Sequence, residues 1–344
     1  MSEPTVDRAA VDAARVLLDR MGISPADLLA GAPARAAAPT FADYVPVVSA
    51  SVSAGTRRAY GSYWDRVVHR WGARRIDQIT ASEIRSLLAD VTANRVQRRN
   101  GRGGRSAAEN TIAALRCLYR RASADGLMSD ADNPALKVAK PKRLPGTRRA
   151  LPDGRLAEIN EVAATSGDDP ALDGLLIRLH VETACRRAGA LALRPVDLDG
   201  DQCLILLREK GGTFRWQPVS PTLMRHLQLH GEERGAAPAA PLLRYRNRRP
   251  ITSRRYDHLW VRIGKRLPWV ATQQVSTHWL RHTTLTWVER NFGYAVARAY
   301  AGHADRVGVD VGATAGYVRA GMSELADALS AMTGEPHPLS SLPD

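Results

Sequence analysis

The first half of the chain carries apolar residues three or four positions apart, in segments separated by polar and glycine-containing stretches. Each segment predicts an amphipathic helix with one buried face. Their apolar members are Trp64, Val67, Val68 and Trp71; Ile84, Leu87, Leu88 and Val91; and Ile112, Leu115, Leu118, Tyr119 and Ala122. Thr80 and Ser82 are candidate caps of the second helix, and the third is expected to end near Gly126. Residues 41–135 are therefore predicted to form four or five helices.

A second pattern begins near Leu151. One further helix is predicted by Leu172, Leu175, Leu176 and Leu179. Residues 202–208 and 214–219 are rich in apolar residues, and the Lys-Gly-Gly-Thr sequence between them is typical of a tight turn. These two segments predict an antiparallel hairpin. The expected fold class is mainly α with one small antiparallel β-sheet (α+β).

The length of 344 residues suits two domains with additional segments at the ends. Residues 5–20 predict a short helix, and residues 32–39 an Ala/Pro linker. The expected segments are an N-terminal extension (1–40), a helical domain (41–136), a basic linker (137–150), a second domain (151–320), and a C-terminal helix and tail (321–344).

Basic residues are concentrated in the body of the chain. The total net charge is +14, yet residues 1–40 carry −1 and residues 321–344 carry −4, so the remaining 280 residues carry +19. Such a distribution favours a polyanionic partner. No apolar run approaches the ~20 residues of a membrane span, and no signal peptide is evident. The three cysteines are far apart, as expected of free thiols in a cytoplasmic protein.

Two basic stretches contain no acidic residue. The first holds Arg95, Arg98, Arg99, Arg102 and Arg105, and the second holds Lys137, Lys140, Lys142, Arg143, Arg148 and Arg149. A run of like charges is most often a solvated or disordered face. The alternative is contact with phosphate, where each contact steepens the salt dependence of binding by roughly one unit.

The last two thirds of the chain hold a set of side chains suited to phosphodiester chemistry. They are Arg186 in Thr-Ala-Cys-Arg, Lys210 in the predicted turn, His278 and Arg281 in His-Trp-Leu-Arg-His, His303 in Gly-His, and Tyr317. Arginines can bind phosphate oxygens bidentately. A tyrosine can act as a nucleophile, and lysine or histidine can transfer protons.

We call these short sequences boxes: the arginine box around Arg186, the His-Trp-Leu-Arg-His box and the Gly-His box. In residue type and order they resemble the tyrosine recombinases of the phage integrase family. The resemblance spans residues 183–317 and implies a helical, SAM-like core-binding domain followed by the family's catalytic domain. The basic linker would then cross the duplex, so that the two domains form a C-shaped clamp. It also implies that Arg186 and Arg281 hold the scissile phosphate, that His278 exchanges the tyrosine's proton, and that Tyr317 is the nucleophile.

Two further roles follow from the same resemblance. Lys210 would enter the minor groove and protonate the 5′-oxygen leaving group, and His303 would donate a hydrogen bond to the phosphate. The sequence departs from the family pattern at Ala184, where a turn glycine is usual, and at Gly189, where an acid is usual. The spacing from His303 to Tyr317 is about five residues longer than usual.

Other residues compete for some of these positions. Arg187, the neighbour of Arg186, is an alternative for the same role. Arg186 itself could instead cap a helix or pair with Glu182. Tyr294 and Tyr300 precede the Gly-His box and are interpreted as packing residues. The amphipathic segment 322–332 could dock on its own domain or on an adjacent protomer, and the resemblance favours the protomer.

The resemblance implies a site-specific recombinase that cuts and rejoins DNA through a 3′-phosphotyrosyl intermediate and a Holliday junction, without metal, ATP or cofactor. The expected partners are double-stranded DNA with inverted-repeat core sites, three further copies of the chain on that DNA, and a possible accessory bending or directionality factor. A type IB topoisomerase-like activity and a non-catalytic DNA-binding descendant remain as alternatives. The target sequence and the biological task are not readable from the sequence.

Overall fold

The computed structural model describes residues 7–21, 38–94, 105–141, 149–208, 212–302 and 320–341. The chain divides into two compact units, residues 1–145 and 146–344. The described residues are mostly helical, with a three-stranded antiparallel sheet in the second unit. This confirms the predicted fold class. No helix within the described ranges is both long enough and apolar enough to cross a lipid bilayer.

The first unit consists of helices in its described part. They are α1 (Arg8–Met21), α2 (Phe41–Ser51), α3 (Ala54–Trp71), a 3₁₀ turn (Ile76–Gln78), α4 (Ala81–Ala93) and α5 (Arg105–Ala124). Helix α1 was expected at residues 5–20 and buries none of its side chains. The other helices surround one apolar core.

The predicted apolar stripes form that core. All of their members are buried except Val68, which lies at its edge. Thr80 caps α4: its hydroxyl accepts from the Glu83 amide, and the Glu83 carboxylate accepts from the Thr80 amide in return. Helix α5 ends two residues before Gly126, which has a φ of +75°. The helices and their caps therefore match the prediction.

The first unit extends beyond residue 136, where the sequence placed its end. Val138 is buried in the helical core. The Arg116 side chain donates to the carbonyl oxygens of Ala135 (3.1 Å) and Val138 (2.8 Å). Val138, two residues past the expected domain end, therefore packs with the helices of the first unit.

The second unit surrounds its sheet with helices. Its elements are α6 (Asp153–Thr165), α7 (Pro170–Thr183), α8 (Arg187–Leu191), a 3₁₀ turn (Pro195–Asp197), β1 (Leu198–Asp199), β2 (Leu204–Arg208), β3 (Phe214–Pro218), α9 (Pro221–Glu233), α10 (Ser253–Arg266), α11 (Pro268–Gln273), α12 (Thr277–Tyr300) and α13 (Met322–Thr333). The four leucines predicted to face the core lie on α7 and are buried. Helix α7 is central, because α6, α9, α12 and α13 all pack against it.

The sheet has the strand order β1-β2-β3. Strands β2 and β3 pair from Leu204 opposite Pro218 to Arg208 opposite Phe214, as the predicted hairpin requires. Strand β1 was not predicted, since two residues are too few to show an alternating pattern.

Helix α13 docks on its own unit. Its apolar side chains pack against α12, and the segment after it is held by polar contacts. The Glu335 carboxylate accepts from Arg178 at 2.5 Å and from the Thr222 amide at 3.1 Å. The Asp327 carboxylate accepts from the amide and hydroxyl of Ser341, each at 2.7 Å. The sequence favoured docking on an adjacent protomer, whereas these contacts lie within one chain.

Candidate active site

The arginine box follows the end of α7. Ala184 adopts a left-handed backbone with φ of +48°, and its amide donates to the His180 carbonyl at 3.1 Å. The chain then turns, and Arg186 occupies the N-cap of α8 with a half-buried side chain. A left-handed residue at this place explains the family's preference for glycine.

A buried histidine supports this turn from behind. The two ring nitrogens of His180 lie 3.1 Å from the Cys185 carbonyl oxygen and 3.0 Å from the Tyr256 hydroxyl. Burial lowers the pKa of His180 to about 4, so the ring is neutral at pH 7. The Thr183 hydroxyl accepts from the Cys185 amide at 3.2 Å. These bonds fix the backbone from which Arg186 projects.

Three consecutive carbonyl oxygens at the C-terminal end of α7 receive side-chain donors from distant segments. The final carbonyls of a helix have no partner within it, and cations are favoured there by the helix dipole. Two of the three donors are guanidinium groups. The donor–acceptor pairs are Tyr300 with Glu182, Arg215 with Thr183 at 3.3 Å, and Arg281 with Ala184.

Arg281 joins both sides of the site. It is only 4% exposed and donates to the carbonyls of Ala184 and Ala301, the latter at 2.7 Å. Ala301 immediately precedes Gly302, so one guanidinium links the arginine turn to the Gly-His box. The structure thus brings the backbone of the first box and the side chain of the second together.

His278 lies one turn before Arg281 on α12 but differs from it in exposure. The His278 side chain is exposed, whereas Arg281 points into the unit. Ser276 is the N-cap residue by position, but its side chain makes no capping bond. The Thr277 hydroxyl accepts from the Trp260 indole at 2.9 Å. Helix α12 therefore begins at Thr277 without a side-chain cap from Ser276.

Gly302 ends α12 in a conformation that favours glycine. Its φ is +62°, and its amide donates to the Ala299 carbonyl at 2.9 Å. A Cβ on residue 302 would lie 2.5 Å from Nε of Arg215. The position therefore favours glycine for its backbone angle, and an added Cβ would have to displace the Arg215 side chain.

Several expected site residues lie outside the described residues. They are Lys210, His303, Tyr317, Arg95, Arg98, Arg99, Arg102, Lys142, Arg143 and Arg148. Arg105 begins α5, but its side chain is not described. Lys137 is exposed, and Lys140 lies 3.2 Å from the Glu109 carboxylate. Their roles stay predictions.

The residues considered as alternatives for site positions differ in their burial and contacts. Arg187 is exposed and lies 3.4 Å from Asp257. Tyr300 is fully buried, and burial raises the pKa of its hydroxyl, so it packs as predicted. Tyr294 was also expected to pack, which is wrong: it is 64% exposed, with the Arg298 guanidinium over its ring.

One alternative for Arg186 was pairing with Glu182, whose carboxylate is buried. That carboxylate accepts from Arg178 at 2.6 Å and from the amide and hydroxyl of Ser220 at 2.9 and 3.0 Å. Burial raises the pKa of Glu182 despite these donors. Glu182 therefore serves to join α7 to the start of α9.

The missing acid at Gly189 has a packing explanation. Helix α8 lies against β2, and a Cβ on Gly189 would be 3.2 Å from the Arg208 carbonyl oxygen. A carboxylate there would face a carbonyl oxygen of like partial charge. The Asp197 carboxylate accepts from Arg208 at 2.7 Å and from Arg194.

One basic surface was not predicted from the sequence. Residues 244–255 contain six arginines and no acid, a signal equal to that of the two stretches already described. Four of the side chains are exposed around a turn closed by the Arg244–Pro250 bridge and at the start of α10. They are Arg246, Arg248, Arg249 and Arg254. No cluster of three His, Cys, Asp or Glu side chains suited to a metal ion occurs in the described parts of the chain.

The model of the phage integrase family matches residues 151–311. The tyrosine recombinase XerC of Chromobacterium violaceum is 30% identical to this chain over 236 residues, which cover 66% of this chain and 73% of XerC. The chain therefore belongs to the phage integrase family of tyrosine recombinases.

Solved structures with the same fold agree with that assignment. A lambda integrase tetramer bound to a Holliday junction superposes with a TM-score of 0.59 at 16% identity, over 89% of this chain and 87% of the integrase. The Tn1549 transposon integrase (residues 82–397) with circular intermediate DNA gives a TM-score of 0.58 at 18% identity, over 78% and 92% of the two chains. At these identities the likeness concerns the fold.

Proposed function

We propose that this protein is a site-specific DNA recombinase that cuts and rejoins strands through a covalent tyrosyl intermediate. The supporting observation is the meeting of three boxes at the C-terminal end of α7. Arg186 projects from the turn there, Arg281 donates to the same turn, and Gly302 leads directly into His303. A buried guanidinium next to a second arginine is suited to an oxyanion.

The proposed cleavage step uses five side chains. Arg186 and Arg281 hold the scissile phosphate, and the Tyr317 oxygen attacks phosphorus while the bond to the 5′-oxygen breaks. The phenol proton passes to His278, and Lys210 protonates the departing 5′-oxygen. The products are a 3′-phosphotyrosine and a free 5′-hydroxyl.

Rejoining reverses these bonds on a partner duplex. The 5′-hydroxyl of the partner attacks phosphorus and gives its proton to Lys210, the phosphotyrosine bond breaks, and His278 returns a proton to the phenol oxygen. His303 would donate to the phosphate in both steps. One phosphodiester is exchanged for another, so the reaction conserves bond energy. We propose that strand exchange passes through a Holliday junction.

The DNA partner is supported by charge. The exposed arginines at residues 246–254 add a basic surface on the second unit to the stretches at 95–105 and 137–149. The DNA complexes of lambda and Tn1549 integrases support double-stranded DNA as the substrate, and the lambda tetramer supports four copies on it. We further propose inverted-repeat core sites, action in the cytoplasm, and an accessory bending or directionality factor where directionality is needed.

A nicked suicide substrate tests this proposal, because loss of a short 5′ fragment traps the covalent intermediate. We expect a protein–DNA adduct that survives denaturant and is absent in Tyr317→Phe. Tyr294→Phe, which changes an exposed tyrosine on α12, is the matched control and should form the adduct. Binding without any adduct in the unmodified protein would instead identify a DNA-binding descendant. An adduct with supercoil relaxation but no strand exchange would identify a topoisomerase-like activity.

A further inference from the structure

We propose that Arg215 is a positioning residue that holds Gly302, and with it the backbone leading to His303, against the arginine turn. The inference rests on the proposed recombinase function. No motif pointed to Arg215, since a single arginine on a short strand resembles any solvated side chain.

Arg215 lies on β3 opposite Leu207, in the same hairpin that carries Lys210. Its guanidinium donates to the Gln217 side chain and, at 3.3 Å, to the Thr183 carbonyl. Thr183 is fully buried, so its carbonyl has no access to water. Removing the guanidinium would leave a buried acceptor without its charged donor.

The same side chain limits where Gly302 can lie. The space that a Cβ on residue 302 would occupy is 2.5 Å from Nε of Arg215. Arg215 therefore contacts the Gly302 backbone on one side, while Arg281 holds the carbonyl of the preceding Ala301 on the other. The backbone entering the Gly-His box is fixed by two guanidinium groups that cap one helix.

These contacts assign a positioning role to Arg215. Both terminal nitrogens are directed at protein acceptors, and the side chain is half-buried. Its effect on the reaction would pass through the Gly302–His303 segment. A displacement of about 1 Å in such a support can slow a reaction roughly 100-fold.

Arg215→Ala tests the proposal in single-turnover cleavage of the suicide substrate at saturating protein. We expect cleavage slowed by roughly 10- to 100-fold, with DNA affinity retained and a protein that still folds cooperatively but melts at a somewhat lower temperature, because the Thr183 carbonyl loses its donor. Arg215→Lys should recover part of the rate, because an ammonium can still reach one carbonyl. Arg225→Ala, which removes an exposed arginine on α9, is the control. An unchanged rate in Arg215→Ala would overturn the inference.

A double-mutant cycle with Gly302→Ala separates contact from general weakening. In the presence of Arg215 the added methyl meets the guanidinium, whereas in Arg215→Ala only the backbone strain at φ +62° remains. Gly302→Ala should therefore slow cleavage more in the Arg215 protein than in Arg215→Ala. Additive effects would contradict the proposed contact.

A substrate with sulfur in place of the bridging 5′-oxygen distinguishes the route of the effect. A thiolate leaves without protonation, so this substrate bypasses the proposed role of Lys210. The Arg215→Ala defect should persist on it, and its disappearance would overturn the assignment to Gly302. If the unmodified protein forms no adduct on either substrate, the proposed function itself fails.

Discussion

Arg281 donates a hydrogen bond to the carbonyl oxygen of Ala184, a residue 97 positions earlier in the chain. The same guanidinium reaches the carbonyl of Ala301 at 2.7 Å. A phosphate-binding arginine in the proposed mechanism is therefore also a structural crosslink between two sequence boxes.

Arg281 thus has a proposed phosphate-binding role and a structural role, and the two together predict the effect of Arg281→Lys. An ammonium cannot reproduce the planar, bidentate geometry, so at least one buried carbonyl loses its donor. We expect unfolding free energy to fall by about 1–3 kcal/mol and adduct formation to fall by roughly 100-fold or more. Urea denaturation and the suicide substrate measure the two effects. Retention of full stability in Arg281→Lys would contradict the crosslink, and Arg225→Lys serves as the exposed control.

The left-handed Ala184 predicts an unusual response to glycine. Ala184→Gly loses a buried methyl, worth about 0.8 kcal/mol, and gains unfolded-state entropy that costs about 0.4–1 kcal/mol. It also relieves left-handed strain of about 1–2 kcal/mol. These terms nearly cancel, so we expect stability within about 0.5 kcal/mol of the unmodified protein.

The matched control is Ala190→Gly, at a buried alanine within α8. No strain is relieved there, so the substitution should destabilise by about 1–2 kcal/mol. Urea denaturation of both variants measures the difference. Equal losses at the two positions would show that Ala184 carries no backbone strain.

His180 predicts a pH dependence of stability. Burial lowers its pKa from 6.5 to about 4, so between these values the unfolded chain binds one more proton than the folded chain. Its contribution is complete above pH 6.5 and is lost as the pH falls towards 4, with a slope of up to about 1.4 kcal/mol per pH unit. His230, also lowered to about 4, adds in the same direction.

His180→Gln should reduce that slope by up to about 1.4 kcal/mol per pH unit, which is the contribution of one proton. Urea denaturation between pH 4 and 7 measures the slope. The comparison must be between proteins at each pH, since Glu182 has the opposite sign. Its pKa is raised, so its contribution is present below pH 4.5 and lost as the pH rises. An identical slope in His180→Gln and the unmodified protein would refute a buried neutral imidazole.

The exposed arginine turn predicts a change in salt dependence. If Arg246 and Arg249 contact phosphate, each alanine substitution should reduce the slope of log Kd against log salt by about 0.9. Fluorescence anisotropy with a core-site duplex at several salt concentrations measures it. Arg155→Ala, at an arginine that pairs with Glu158 at 2.9 Å, should leave the slope unchanged. Unchanged slopes in all three would exclude the turn from the DNA surface.

Much of the fold could be predicted because burial leaves a periodic trace along each element. The stripes on α3, α4, α5 and α7 and the β2–β3 hairpin all had such traces. The exposure of Tyr294 and the burial of Val138 left no such trace. Tyr294 follows the kink of α12 at Gly293, and Val138 lies in irregular chain after α5. A pattern reports which face is buried, but not where the last buried residue lies.

The candidate site was predictable in its residue types and order, but not in its connections. Arg215 belongs to no motif, and its role depends on distances to Thr183 and Gly302, which are far away in the sequence. The packing reason for Gly189 likewise depends on a strand that follows it. The docking of α13 on its own unit depends on Glu335 meeting Arg178, a pairing that no local pattern indicates.

The three capped carbonyls of α7 have a consequence for biosynthesis. Their acceptors are made first, at residues 182–184, but their donors come from residues 215, 281 and 300. A nascent chain on the ribosome therefore cannot complete this capping until residue 300 has been synthesised.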